Sequence, residues 1–227
     1  MLKFWHFLIS LAREKVMGTE VSGDVKKELE DLKDFADSQA CKYDRPSSLQ
    51  DVVNATKFSR KEVQVIYRSF KENCPSGVVE RQALHNIFTS LFPHGDPTIY
   101  ADYVFDTFDS DNNGHINFEE FVTALSVLSR GSMEEQLEWV YQLYDRKSRG
   151  FISWTELNKM VRAICFMMGS FCRPPLTEDS IREHTDYIFK QLDVDNDGVI
   201  SKNNFITACY RSQMIQDSVT HFKTVIG

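Results

Sequence analysis

Glycine, proline and cysteine are all scarce in this chain of 227 residues, which has 10 Gly, 6 Pro and 5 Cys. So little glycine and proline excludes collagen-like and proline-rich low-complexity proteins. Hydrophobic residues at 42% and charged residues at 26% are instead typical of a globular protein. The odd number of cysteines, without regular spacing, argues against a disulfide framework and favours the reduced thiols of a cytoplasmic protein.

Positively charged residues are also fewer than negatively charged ones. Lys and Arg number 26 against 33 Asp and Glu, so the formal net charge is −7. An acidic surface repels phosphate backbones, so the net charge disfavours nucleic-acid binding, which would require a local basic patch. The sequence also lacks the roughly 20 consecutive apolar residues that a membrane-spanning helix requires.

The most apolar stretch lies at residues 2–12, LKFWHFLISLA, and is too short to span a bilayer. We expect residues 2–11 to contact a membrane surface or to compete with a partner for a groove elsewhere on the protein. A short signal peptide is the alternative interpretation. Residues 1–44 as a whole are predicted to be a variable segment followed by a polar linker.

Motifs for catalysis are absent as well. The six histidines form no metalloprotease-type pair beside a glutamate, and the sequence contains no Gly-x-Ser-x-Gly motif and no phosphate-binding loop. The chain is therefore predicted not to be an enzyme.

What the sequence does contain is a repeat marked by glycines. Gly77, Gly114, Gly150 and Gly198 are separated by 37, 36 and 48 residues, and two positions after each of them stands a Val or Ile. An amphipathic helical pattern precedes and follows each glycine. A helix, a loop of about 12 residues with Gly at position 6, and a second helix form the EF-hand arrangement. We therefore predict an all-α fold of four EF-hands in two paired lobes, in which the Val or Ile at position 8 forms a short strand with a neighbouring loop.

Helix starts are marked by local motifs. Ser59 with Glu62, and Ser132 with Glu135, have the spacing of capping boxes. Asp96 followed by Pro97 predicts an N-cap ahead of a proline at the first helical position.

Loop 2, residues 109–120, meets every requirement of a calcium loop. Calcium binds six to eight oxygen atoms, and a glutamate at position 12 closes the site with two of them. The predicted ligands, at positions 1, 3, 5, 7, 9 and 12, are Asp109, Asp111, Asn113, the backbone carbonyl of His115, Asn117 and Glu120.

Loops 1 and 3 fail this comparison. Loop 1, residues 72–83, has Cys74 at position 3 and Ala83 at position 12, so it lacks the closing carboxylate. Loop 3, residues 145–156, keeps Asp and Glu at its two ends but has Lys147 and Arg149 at positions 3 and 5. We expect these two cationic side chains to swing out of the loop, which leaves two ligand positions empty.

Loop 4, residues 193–204, is intermediate. Asp193, Asp195 and Asp197 occupy positions 1, 3 and 5, and Val199 offers its carbonyl, but Asn204 stands at position 12. A neutral side chain with one oxygen closes the loop poorly. Hand 4 is therefore predicted to bind Mg²⁺, or Ca²⁺ with a dissociation constant of roughly 10⁻⁵ M or weaker.

Aromatic residues are abundant, and Phe accounts for 17 of the 28 aromatic residues, beside 8 Tyr and 3 Trp. Several of them follow the helical patterns in greater number than a small core requires. We predict that some line a groove for a partner helix, namely Tyr67, Phe70, Phe88, Phe92, Phe108, Phe121 and Leu125.

Residues 45–226 resemble the neuronal calcium sensor family and, within it, most closely the Kv channel-interacting proteins. The segments that carry the resemblance are RP at 45–46, KFSRKE at 57–62, NCPSGVV at 73–79, LFPHGD at 91–96, FEEFV at 118–122 and RGS at 130–132. The Cys-Pro pair in a disabled first loop is a hallmark of the family. The chain departs from the family at hands 3 and 4, which usually bind calcium and are damaged here.

The resemblance implies a cytoplasmic auxiliary subunit that regulates A-type voltage-gated potassium channels by holding the channel's N-terminal segment, at the plasma membrane through the channel. A recoverin-like regulator of a kinase or cyclase is the alternative. A DNA-binding repressor is a third interpretation, which the net charge disfavours. The implied domain organisation is residues 1–44 as the variable segment, 45–130 as the N-terminal EF-hand pair and 131–227 as the C-terminal pair.

Overall fold

The computed structural model describes residues 49–169 and 177–212. The apolar segment at 2–11 lies outside these ranges, so its contacts with a membrane or groove stay a prediction. Within the described ranges the chain forms nine helices and four short strands. No helix among them combines the length and the apolar character that crossing a bilayer requires.

The elements alternate as the repeat predicts. In chain order they are α1 (Leu49–Ala55), α2 (Arg60–Asn73), β1 (Val78–Glu80), α3 (Arg81–Leu91), α4 (Thr98–Phe108), β2 (His115–Asn117), α5 (Phe118–Arg130), α6 (Met133–Tyr144), β3 (Phe151–Ile152), α7 (Trp154–Met168), α8 (Glu178–Leu192), β4 (Ile200–Ser201) and α9 (Lys202–Arg211). The predicted all-α EF-hand fold is confirmed.

The strands join the loops in twos. Antiparallel pairing of β1 with β2 places Val79 opposite Ile116, and pairing of β3 with β4 places Ile152 opposite Ile200. These four residues are the ones predicted at position 8 of each loop. Loops 1 and 2 therefore share one small sheet, and loops 3 and 4 share the other.

Local caps set the helix starts. The boxes at Ser59 and Ser132 are both formed, since each serine accepts the backbone N–H three residues on and the glutamate there accepts the serine's own N–H. Helix α4 differs from the prediction, because it begins at Thr98 and not at Pro97. Proline has no side-chain oxygen to cap a helix, and the carboxylate of Asp96 instead accepts the N–H of Thr98 at 3.0 Å.

Aromatic rings fill one continuous core that includes residues of both EF-hand pairs. Tyr100, Phe88, Phe105 and Phe205 are among the largest fully buried side chains. Helix α4 packs against α6 and α7, which belong to the second pair of hands. The helix that leads into loop 2 is thereby fixed against the C-terminal pair.

A backbone contact also joins the two pairs. The N–H of Asp96 donates to the carbonyl of Phe166 at 2.9 Å, at the end of α7. Gly95 permits this approach, since a Cβ atom there would lie 2.1 Å from the carbonyl oxygen of Met167. The requirement for glycine is therefore steric.

We expect Gly95→Ala to lower the free energy of unfolding by about 1–3 kcal/mol, because the added methyl group must displace the end of α7. Thermal unfolding of the full chain measures the change. Thr89→Ala is the control, since Thr89 is exposed on the preceding helix. Equal stability of both variants and the parent would contradict the steric role of Gly95.

Candidate metal centre

Loops 2, 3 and 4 share one backbone arrangement around their first residue, an aspartate. In each loop the two carboxylate oxygens accept the N–H groups of positions 5 and 6. The distances are 3.0 and 2.9 Å for Asp109, 3.0 and 2.7 Å for Asp145, and 3.2 and 3.1 Å for Asp193. These three aspartates are buried although they are charged. The hydrogen bonds compensate for part of the solvation that each carboxylate loses.

The loops also share two residues with positive φ. Position 4 has φ of 57° at Asn112, 50° at Ser148 and 57° at Asn196, and the glycine at position 6 has φ between 82° and 88° in all three loops. Glycine adopts this conformation without the steric penalty of a Cβ atom, which explains the repeat that marks the sequence.

Loop 2 gathers its acidic side chains at one point. Carboxylate oxygens of Asp109, Asp111 and Glu120 lie within 4.8 Å of one another. Glu120 Oε1 accepts the N–H of Ser110 at 2.8 Å, and its Oε2 accepts the N–H of Asn117 at 3.0 Å. A set of hard oxygen donors and no sulfur or nitrogen fits Ca²⁺.

The remaining predicted ligands of loop 2 line the same turn. Asn113 Nδ2 donates to Asp111 at 2.8 Å, and Asn113 Oδ1 accepts the N–H of His115 at 2.9 Å. His115 lies in β2, and Asn117 caps α5 by accepting the N–H of Glu120. The structure thus brings three of the six predicted ligands together, Asp109, Asp111 and Glu120, and the assignment of the other three stays a prediction.

Loop 4 gathers a second acidic cluster, formed by Asp193, Asp195 and Asp197 within 4.8 Å. Val199 donates its N–H to Asp197 at 3.0 Å. Asn204 Nδ2 donates to Asp195 Oδ1 at 2.6 Å, so the amide closes the loop by a hydrogen bond to a carboxylate. Three carboxylates again fit a divalent cation, although the closing side chain is neutral.

Loop 3 differs from the prediction. Arg149 does not swing out of the loop, because its Nη2 lies 2.5 Å from Oε2 of Glu156, the residue at position 12. Burial raises the pKa of the Glu156 carboxyl, but hydrogen bonds from Ser153 and Arg149 outweigh burial and leave that pKa below its usual value. The expectation of an open, empty loop is wrong for position 5.

Loop 1 keeps the turn and the strand but not the ligands. Gly77 has φ of 85° and β1 pairs with β2, yet Ala83 at position 12 offers no carboxylate to close the loop. Lys71 Nζ donates to the carbonyl of Pro75 at 3.1 Å, which places a cationic side chain beside this loop. Loop 1 therefore has a structural role.

An apolar cavity of about 360 Å³ lies beside hand 2, between α2, α3 and the helices that flank loop 2. Three of the predicted groove residues, Phe70, Phe108 and Phe121, line it. The other four do not line it. Phe88 and Leu125 are corrected to core residues, since they are 0% and 1% exposed.

Tyr67 and Phe92 are half-buried at the edge of that core. The Tyr67 ring meets the Phe118 ring edge-on at 4.8 Å, and Phe92 stacks on Phe88 at 6.2 Å. Tyr67 and Phe92 therefore pack against the core, and the cavity is lined by Phe70, Phe108 and Phe121.

Sequence reasoning missed a charged contact between the two EF-hand pairs. Asp106 in α4 accepts a hydrogen bond from Nη2 of Arg81 at 2.6 Å. It also forms an ion pair with Arg146, the second residue of loop 3. Arg146 and Arg81 stand 65 positions apart in the sequence, so no local pattern connects them. Only the packing of α4 against the second pair brings them together.

Comparison with known protein families agrees with the loop geometry. A family model described as an EF-hand domain pair matches residues 134–210, which contain loops 3 and 4. A second model, described as an EF hand domain, matches residues 100–128, which contain loop 2. The chain therefore contains EF-hand domains, and its two acidic loops have the oxygen donors with which such domains bind calcium.

Proposed function

We propose that this protein is a calcium-binding regulatory subunit that holds an amphipathic helix from the cytoplasmic N-terminus of a voltage-gated potassium channel. The observation that carries the proposal is the apolar cavity beside the acidic cluster of loop 2. The choice of a channel as partner rests on the resemblance to the Kv channel-interacting proteins.

The cavity and loop 2 adjoin at three points of the chain. Phe108 directly precedes Asp109, and Phe121 directly follows Glu120. Ile116, in the strand β2 of the loop, also lines the cavity. Any shift of the loop's carboxylates is therefore transmitted to the cavity wall through the backbone.

A bound Ca²⁺ would be surrounded by six to eight oxygen atoms and would balance the negative charge of the loop. The chain's part is to hold Asp109 by two backbone N–H groups and to keep Glu120 on the N–H groups of Ser110 and Asn117. Glu120 connects the loop to α5, because it lies in the first turn of that helix and accepts hydrogen bonds from the loop. The next residue is Phe121, so the position of Glu120 affects the part of the cavity wall that Phe121 forms.

The cavity wall indicates the chemistry of the partner. Apolar side chains from α2 and α3, among them Ile66, Phe70, Leu84 and Ile87, face the space. Its volume is within the range of about 300–1,000 Å³ in which ligand sites usually fall. Large apolar side chains from one face of a partner helix, spaced three or four residues apart, fit such a wall.

We expect Ala83→Trp to weaken binding of a fluorescent channel N-terminal peptide at least tenfold, because the exposed Ala83 lines the cavity and a ring there fills it. Thr89→Trp is the control, since Thr89 is exposed on the same helix and is not part of the wall. Anisotropy titrations in calcium and in chelator make the measurement.

Equal affinity of the two tryptophan variants would contradict the cavity as the binding site. Binding of a kinase or cyclase helix in place of the channel peptide would favour the recoverin-like alternative. A gel shift that weakens with salt would favour the DNA-binding alternative, against the net charge of −7.

A further inference from the structure

Hand 3 has the backbone of a metal-binding loop without the ligands for a metal. Asp145 accepts the N–H groups of Arg149 and Gly150 at 3.0 and 2.7 Å, as the first aspartate does in the acidic loops. Ser148 and Gly150 have positive φ values, 50° and 82°, close to those of their counterparts there. Yet positions 3 and 5 hold cationic side chains, which do not fit a divalent cation.

The guanidinium of Arg149 lies where it can replace the charge of such an ion. Its Nη2 contacts Oε2 of Glu156, one of the two oxygens of the carboxylate that would close the loop on a metal. The Phe151 ring at position 7 supports the guanidinium from one side, with 4.4 Å between its central carbon and the ring centroid. The same Oε2 accepts the N–H and hydroxyl of Ser153 at 3.0 and 2.8 Å, so the guanidinium and two groups of Ser153 converge on one carboxylate oxygen.

Position 12 is satisfied differently in the other two loops. Glu120 of loop 2 accepts hydrogen bonds from groups of its own loop and helix cap, and a metal ion can replace these donors. Asn204 of loop 4 is a donor to Asp195. Among the described loops, hand 3 alone joins its closing carboxylate to a side-chain cation.

We infer that Arg149 is the resident cation of hand 3, which closes the loop permanently and excludes a divalent ion from it. The loop then keeps its shape at every calcium concentration. Because Ile152 pairs with Ile200, β3 of this closed loop offers hand 4 a strand whose shape does not depend on calcium at hand 3. Hand 3 thus acts as a fixed support for hand 4.

A plain surface ion pair would have little influence on the loop, since such pairs contribute little to the free energy of folding. The pair here differs because Glu156 is mostly buried, at 16% side-chain exposure, while Arg149 is 38% exposed. A plain surface ion pair and a resident cation therefore predict different behaviour of the loop when the guanidinium is removed.

Amide hydrogen exchange of the full chain in chelator distinguishes them. We expect Arg149→Ala to speed the exchange of the Gly150 amide at least tenfold, because Glu156 loses its cation and the loop opens. Lys147→Ala is the control, as it removes an exposed positive charge two positions away and should leave this amide protected. Unchanged protection in Arg149→Ala, with helix content intact by circular dichroism, would overturn the inference.

Calorimetric titration gives a second, independent measurement. The double variant Lys147→Asp, Arg149→Asp restores carboxylates at positions 3 and 5, and it should gain one calcium site in the range of about 10⁻⁷–10⁻⁵ M. Lys147→Asp alone should gain none, because Arg149 still engages Glu156. A folded double variant without an added site, or an added site in Lys147→Asp alone, would refute the resident cation. Neither experiment involves a partner, so both outcomes are independent of the proposed channel function.

Discussion

Glu120→Gln is expected to abolish calcium binding in the micromolar range. Glu120 carries one of the three carboxylates that converge in loop 2, and it stands at position 12, where a calcium loop supplies two oxygens to the ion. Glutamine has the same volume but one neutral oxygen, as Asn204 has in loop 4. The dissociation constant should therefore rise from about 10⁻⁷–10⁻⁵ M to about 10⁻⁴–10⁻³ M.

In chelator the variant should lose only a little stability. The single Gln oxygen can accept one of the two N–H groups, of Ser110 and Asn117, that the two oxygens of Glu120 now accept at 2.8 and 3.0 Å, and the other N–H loses its acceptor. The free energy of unfolding in chelator should therefore fall by about 0.5–1.5 kcal/mol, while the stabilisation by calcium, about 2.7 kcal/mol at a hundredfold excess over the dissociation constant, should disappear.

Isothermal titration of the parent and the variant tests the assignment. Glu119→Gln is the matched control, because Glu119 is the neighbouring residue of the same helix turn and has position 11 of the loop. Micromolar binding that persists in Glu120→Gln, or that Glu119→Gln also loses, would contradict loop 2 as the sensor site. Two or more tight sites in the parent would do so as well.

Asn204→Glu should have the opposite effect and create a second tight site at hand 4. The new carboxylate would join Asp193, Asp195 and Asp197, which already lie within 4.8 Å of one another. Calcium affinity at hand 4 should rise from roughly 10⁻⁵ M or weaker into the range of about 10⁻⁷–10⁻⁵ M.

The same substitution should destabilise the calcium-free protein. Asn204 now donates from Nδ2 to Asp195 at 2.6 Å, and a carboxylate in its place would repel Asp195 at that distance. We therefore expect a lower melting temperature in chelator and a higher one in calcium than the parent has in the same buffers.

Asn203→Glu provides the control for this experiment, since it adds the same charge one residue earlier at an exposed position. Calorimetry should show one additional tight site for Asn204→Glu and none for Asn203→Glu. Equal gains in both variants would mean that net charge, and not closure of loop 4, governs the affinity.

The sequence predicted the loops well because their geometry is local. An aspartate at position 1 reaches N–H groups only four and five residues ahead, and the glycine at position 6 supplies the positive φ within the same turn. Each capping box likewise needs only the residue three positions on, as at Ser59 and Ser132. Interactions of this range can be read from spacing alone.

The groove prediction was less successful because periodicity cannot tell a cavity wall from a core. Phe70, Phe108 and Phe121 line the cavity and are 5%, 4% and 9% exposed, whereas Phe88 and Leu125, with the same helical spacing, are 0% and 1% exposed and do not line it. The difference depends on which helix packs over each face. That is a property of the assembled molecule.

The sequence by itself determined four helix–loop–helix units, their short strands and the two loops that can gather carboxylates, because these depend on contacts within about a dozen residues. Tertiary structure alone decided how α4 packs against the second pair, where Asp106 meets both Arg81 and Arg146. It also decided that Arg149 turns toward Glu156 and not to solvent, since the Phe151 ring and the engaged carboxylate favour that rotamer over the exposed ones. Side chains with several rotamers and partners far apart in the sequence take their positions only from the folded surroundings.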